Sequence, residues 1–227
     1  MKRFWTGTSV VASDAGWSVA LDGKPLRTPA RKPLALPTRA LAEAIAAEWD
    51  AQTGQVRPAA MPLTGLANAA LDRAGPELVT MLAAYGESDL LCYRAERPAE
   101  LIALQAAEWD PPLEWARRRY DVVFVVTHGI AHRVQPAPTL ARLTAAVDAP
   151  DLFRLAGLNP LITITGSLVL GLAVLEGELT ADTAFDAGEL DTRFQAAHWG
   201  EDAEAAVTCA RRRADLLAGA RFLAMLD

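Results

Sequence analysis

The chain has 227 residues, 52% of them hydrophobic and 22% charged, with a mean hydropathy of +0.13. That is ample for one large core or two small ones, and too apolar for a disordered chain. Lys and Arg number 22 against 28 Asp and Glu, and the net charge of −6 argues against binding nucleic acid or an anionic membrane surface. Two cysteines, Cys92 and Cys209, are too few for a disulfide framework or a thiolate metal centre, and they fit a reducing compartment. The opening MKRFWTGTSVVAS has neither the apolar core of a secretory signal nor a transit-peptide pattern, so a cytoplasmic chain of bacterial type is expected.

The N-terminal segment reads as β structure. Phe4–Ala12 and Trp17–Leu21 are rich in β-branched and aromatic residues and are separated by the turn cluster Ser13-Asp14-Ala15-Gly16. Asp22-Gly23 is a two-residue hairpin signal, because both central positions favour positive φ. The proline-rich Pro25–Leu36 is confined to edge strands and turns. A small antiparallel sheet or partial barrel accounts for all of this.

From Thr38 the apolar period lengthens. Thr38 is placed to cap a helix whose stripe is Leu41, Ile45 and Trp49. Leu63–Ala74 and Glu77–Tyr85 read as helices split by Gly75-Pro76, and Ser88–Arg94 as a short extended piece. Pro98–Tyr120 is predicted helical with a break or kink at Pro111-Pro112. Val122–Val126 is a fully apolar, β-like run. The remainder predicts helices over Pro138–Val147, Leu152–Glu176, Thr180–Trp199 and Asp202–Leu226. Ala156–Leu175 is uncharged and long enough to span a membrane. Asn159, Pro160, Thr163, Thr165 and Ser167 inside it, with Glu176 directly after, favour a buried core helix instead. Thr163, Ser167 and Gly171 would form a small-residue stripe on that helix, a packing device. The fold class is therefore α+β: a small N-terminal antiparallel β domain over 1–58, with its linking helix, then a larger mainly α-helical domain over 59–227.

Catalytic constellations are missing from this pattern. His128 and His132 are four apart, but Gly129 lies between them and no Glu follows the first, so loop or surface positions are expected. There is no phosphate-binding glycine loop, and Gly166-Ser167 lacks the flanks of a nucleophile elbow. Cys92 lies between bulky residues and reads as a buried thiol. Asp89 and Arg94 could form an ion pair, and read by default as part of an ordinary turn or as a surface salt bridge. No catalytic residue, metal or cofactor is predicted.

Charge is distributed unevenly. Between Glu176 and Glu204 there are nine acids and one base, Arg193, a local −8 that leaves +2 for the rest of the chain. Arg211–Arg213 follow. Such a strip is either a solvated helix face or a docking face for a partly basic partner. Trp49, Trp109 and Trp115 each directly follow a Glu, as half-anchored interface residues do, although a core-edge position with a bonded N–H suits them equally.

Several blocks resemble the assembly chaperone of the F-type ATP synthase α subunit, a family of mitochondrial and alphaproteobacterial assembly factors. They are GWSVALDGKPLRTPARKPLALPT, LAEAIAAEWDAQ, MPLTGLANAALDR, YGESDLLCYRAERP, LQAAEWDPPLEWA, GSLVLGLAVLEGELT and LDTRFQAAHWGEDAEA. They run in the family's order over most of the chain; Tyr120–Asp151 carries least of the pattern, and Pro112 stands where Leu is expected. The resemblance implies a small β domain joined to a larger helical one. It also implies a non-enzymatic chaperone that binds free α before it pairs with β, masks the β-facing interface and promotes assembly of the catalytic head. Its partner would be that α subunit, with no nucleic acid and no stable membrane insertion. It would work in the bacterial cytoplasm or the equivalent mitochondrial matrix, and a monomer is the default.

The residues carried over as partner-binding are Trp199, Gly200, Glu201, Asp202 and Glu204 of the HWGEDAEA block, with Asp191 and Trp49. Asp202 equally suits the N-cap of the last helix and Glu204 its first turn. The competing reading is a small-molecule enzyme using a carboxylate pair, Asp191 with Glu204, in an interdomain cleft.

Overall fold

Asp22 and Gly23 have φ of 45° and 80°, the conformation that a tight two-residue hairpin demands. The hairpin joins β2 (Gly16–Leu21) to β3 (Lys24–Pro25), and β1 (Thr8–Ser13) completes a three-stranded antiparallel sheet of order β1-β2-β3. The Asp22 carboxylate accepts from the backbone of Thr6 and Gly7 and from the Thr6 hydroxyl, so one residue closes the turn and anchors the preceding chain. These contacts hold its carboxyl below the usual range.

The computed structural model describes residues 2–13, 15–129, 131–200 and 202–227. They divide into two compact units: Met1–Gly75 with Asp151–Gly157 and Arg221–Asp227, and Pro76–Pro150 with Leu158–Ala220.

In the first unit α1 (Arg39–Asp50) lies on β1 and β2. Thr38 Oγ1 accepts from Leu41 N at 3.2 Å, as its cap role predicts, and donates to Met225 O. Leu41 and Ile45 are fully buried. Glu48 reaches from α1 to α2 (Pro62–Asp72), accepting from the N–H groups of Leu63 and Thr64 at 2.8 Å each. A carboxylate there satisfies orphan donors at a helix start.

The second unit is helical: α3 (Pro76–Ala83), α4 (Ala99–Tyr120), α5 (Ala137–Asp148), α7 (Leu168–Leu175), α8 (Ala181–Gly188) and α9 (Leu190–Trp199). The ends of α6 (Leu152–Thr165) and α10 (Ala203–Ala224) belong to the first unit and the rest to the second. A parallel pair, β4 (Tyr93–Arg94) and β5 (Thr127–His128), accompanies them. The chain is thus an α+β protein, a small antiparallel sheet followed by a mostly helical region.

Several expectations need correction. The helix expected over Leu152–Glu176 is two: Gly166 takes φ +70° and Ser167 Oγ caps α7 at Leu170 N. Thr163, Ser167 and Gly171 therefore do not form the stripe expected along one helix, since Thr163 is on α6, Ser167 caps α7 and Gly171 is on α7; a Cβ on Gly171 would collide with Ile162, so that glycine alone lets α7 fold back on α6. Among the described residues no helix is long and apolar enough to cross a membrane. Thr180–Trp199 is likewise divided, at Glu189. Conversely, α4 runs unbroken through Pro111 and Pro112. Buried Trp109, Leu113 and Trp115 hold it on both sides of the prolines, while Ala107, whose carbonyl loses a donor to Pro111, is exposed and open to water. Trp109 and Trp115 are core residues, so the Glu-Trp pairs on α4 mark no interface.

Candidate functional site at the α9–α10 junction

Helix α9 ends at Gly200, whose φ of 91° admits a side chain only with strain, and α10 begins three residues later. Asp202 Oδ2 accepts from Ala205 N at 2.9 Å, capping α10, and Glu204 occupies its first turn. Between the two helices lies a groove of about 310 Å³ floored by small residues: Ala196 on α9, and Ala205, Ala206 and Cys209 on α10. Trp199 forms its wall and is 80% exposed, the most exposed large apolar side chain among the described residues. A Trp left this open is the kind of anchor that interfaces use.

The acidic strip is mostly internally answered. Glu176 accepts from Arg119 and from the Tyr120 hydroxyl; Asp182 and Asp186 pair with Arg213; buried Glu189 pairs with Arg212. Arg193 is held by Glu108 at 3.1 Å and by the Asp186 carbonyl. Two of the three arginines that follow the strip in sequence are thus its counter-ions. Glu178 and Glu204 have no side-chain partner among the described residues.

The residues expected to bind a partner are partly brought together. Trp199, Gly200 and Asp202 line the groove, and Glu204 lines a shallower depression next to it with Asp202 and Arg212. Glu201 lies outside the described residues. Asp191 instead accepts from Gln105 Nε2 on α4 at 2.8 Å. Trp49 belongs to the first unit, half-buried, with its ring 5.1 Å from that of Trp5.

Cys209 is the one thiol lining the groove, and among the described residues no histidine lines it alongside. Cys92 is buried, and its thiol is pushed up to about 12 by burial and by the Asp89 charge. Asp89 and Arg94 do not pair. Asp89 is fully buried and accepts from the N–H groups of Leu91 and Val169, tying the chain before β4 to the start of α7. Burial raises its carboxyl to about 6. Arg94 bonds the carbonyls of Leu91 and Gln105 and the carboxylate of Asp110, with its guanidinium over Trp109. His128 and His132 are exposed, and His132 Nδ1 contacts the Tyr93 hydroxyl. Among the described residues no group of His, Cys, Asp and Glu could hold a metal. Gln105, which joins α9 to α4 and also accepts from Ala95 N, was not singled out from the sequence. A buried Gln within a helix leaves no periodic signal.

Residues 2–117 match the family described as ATP12 chaperone protein. The chain is 28% identical over 220 residues to the mitochondrial protein atp12 of Schizosaccharomyces pombe, covering 89% of this chain and 75% of that protein. It superposes on the crystal structure of Atp12 from Paracoccus denitrificans with a TM-score of 0.94 at 42% identity, over 100% of this chain and 98% of the other. A crystal structure from Agrobacterium tumefaciens gives a TM-score of 0.95 at 39% identity, over 100% and 86%. With a family match over half its length and close likeness end to end, this chain belongs to the ATP12 chaperone family.

Proposed function

We propose that this protein is an assembly chaperone for F-type ATP synthase. It binds the free α subunit, masks the face that β later occupies and promotes assembly of the catalytic head. The observation that carries this reading is the end-to-end likeness to Atp12 of Paracoccus denitrificans at 42% identity. A stoichiometric cap needs an apolar anchor held on rigid elements, and Trp199 beside the α9–α10 groove is such an anchor.

Trp199, Gly200, Asp202 and Glu204 form the contact, with Glu201, which lies between Gly200 and Asp202 in the sequence, carried along as part of the same block. Asp191 supports it through Gln105, and Trp49 contributes from the first unit. The protein acts without catalysis, and the reading as a carboxylate-pair enzyme loses its support because Asp191 turns to α4 while Glu204 borders the groove side. It works where the synthase head is built, the bacterial cytoplasm or the mitochondrial matrix; the fission-yeast relative is named mitochondrial. Co-expression with the α subunit of the same organism tests this. Soluble α recovered in complex with the chain is expected; unchanged insolubility of α and no complex at low salt would overturn it.

A further inference from the structure

The groove between α9 and α10 runs into the shallower depression beside it, with Asp202, Ala205 and Cys209 bordering both. Its apolar part lies under the Trp199 wall, and its polar part carries the carboxylates of Asp202 and Glu204. Both arginines that border it are committed elsewhere. Arg212 is paired with Glu189 and donates to the Ile164 carbonyl at 2.6 Å, while Arg193 is held by Glu108 and the Asp186 carbonyl. Asp202 gives one carboxylate oxygen to the Ala205 N–H, and neither Asp202 nor Glu204 has a cationic partner among the described residues.

The helix ends do not neutralise these acids. The start of α10 contributes about half a positive charge and the end of α9 about half a negative one, so the two dipoles nearly cancel at the junction. An open indole face beside two unpaired carboxylates is a receptor for a cation, the ring attracting it by its quadrupole and the carboxylates by charge-assisted hydrogen bonds. A guanidinium suits it better than an ammonium: it is planar, stacks on an indole and presents forked donors, and its methylene stem covers the small-residue floor. The chain already builds this arrangement internally. The Arg94 guanidinium lies 5.3 Å from the Trp109 ring centroid while bonding Asp110 at 2.7 Å, and Arg213 lies 5.4 Å from that of Phe185 while paired with Asp186 at 3.2 Å.

We propose that the α9–α10 groove is an arginine-recognition site: a client arginine lays its guanidinium on the Trp199 ring and reaches the carboxylates of Asp202 and Glu204. A second copy of this chain would bring a net charge of −6 toward an acidic junction, so a client segment is the better match. That the client is the α subunit rests on the proposed function; the chemistry of the site does not.

The test uses the full chain with two probes: the α subunit, and a leucine–arginine–leucine peptide whose control carries citrulline, the neutral isostere, in place of arginine. The indole N–H resonance of Trp199, identified by its loss in Trp199→Leu, is expected to move about fivefold further with the arginine peptide than with the citrulline peptide at equal concentration. Asp202→Asn keeps a helix cap and removes the charge, and Glu204→Gln removes the other. Each is expected to weaken α binding about threefold, the two together about tenfold, and Trp199→Leu, which keeps apolar bulk without the ring face, about fivefold. Thermal unfolding checks each variant, and the peptide comparison on the unmodified chain stands should a variant fail to fold. If α binds both carboxylate variants normally and the two peptides are indistinguishable, the arginine proposal is overturned and the chaperone reading stands. If the arginine peptide is favoured and α does not bind, the chaperone reading fails and the site stands. A Trp199 shift in the free chain that grows with its concentration would assign the site to self-pairing and overturn the proposal.

Discussion

The acidic region around α8–α10 and the valine run Val122–Val126 exchange the roles their sequences suggest. In the first, a local charge of −8 reads as an open electrostatic face, yet Arg119, Arg212 and Arg213 take up four of its carboxylates and Gln105 a fifth. In the second, five apolar residues read as a strand, yet the backbone is paired along one edge only and three of its valines are exposed. Formal charge records where ions are; their availability is decided by what the fold brings opposite them. Apolar sequence likewise records a tendency to bury, which here is left incomplete.

The extreme of the first behaviour is Asp89, enclosed and bonded only to neutral donors, and it gives the largest expected effect. Its carboxyl is about 6 in the folded chain against 3.8 as a free group, so the folded state holds more protons between those values. Its contribution is complete below about pH 4 and is lost as pH rises through 6, by about 3 kcal/mol. Urea unfolding of the parent and of Asp89→Asn, taken from pH 4 to 7, should give a difference that declines with pH; a flat difference would contradict this.

Next comes Glu189, 4% exposed and paired with Arg212. Glu189→Ala removes the one carboxylate paired with Arg212, which keeps its bond to the Ile164 carbonyl and its solvent contact, and is expected to lower unfolding free energy by about 2 kcal/mol, less than for a fully buried pair. Trp199→Ala should move stability by less than about 0.5 kcal/mol while weakening client binding about tenfold, measurable by calorimetric titration. The smallest effect is expected for Glu178→Ala, whose side chain is exposed and makes no described bond: within about 0.5 kcal/mol by the same unfolding assay. A large loss there would mean that the strip's open acids matter structurally as much as its paired ones.

The hairpin, the Thr38 cap and the stripe of α1 were legible because each depends on a few neighbouring residues: positive φ at Asp22-Gly23, an acceptor hydroxyl, an apolar period. The breaks at Gly166 and Glu189 were not, since a helix-compatible run conceals a turn that long-range packing imposes, as Gly171 against Ile162 does. Continuity of α4 through two prolines was hidden for the converse reason: distant partners such as the Ala187 carbonyl, which receives Trp109 Nε1 at 2.9 Å, outweigh a local penalty. At the candidate site, Trp199 and the cap at Asp202 were readable. The counter-ions were visible as Arg211–Arg213 but not assignable, because pairing Arg213 with Asp182 requires knowing that α8 and α10 are neighbours.

The central claim is that this chain occupies the α-subunit surface that β later covers. The most direct measurement is a competition: purified chain and α subunit are combined, the complex is sized, and β subunit is added in increasing amount. A one-to-one complex from which β displaces the chain as α and β associate is the expected result. Absence of a complex, or a stable assembly holding chain, α and β together at an intact α–β contact, would contradict the account.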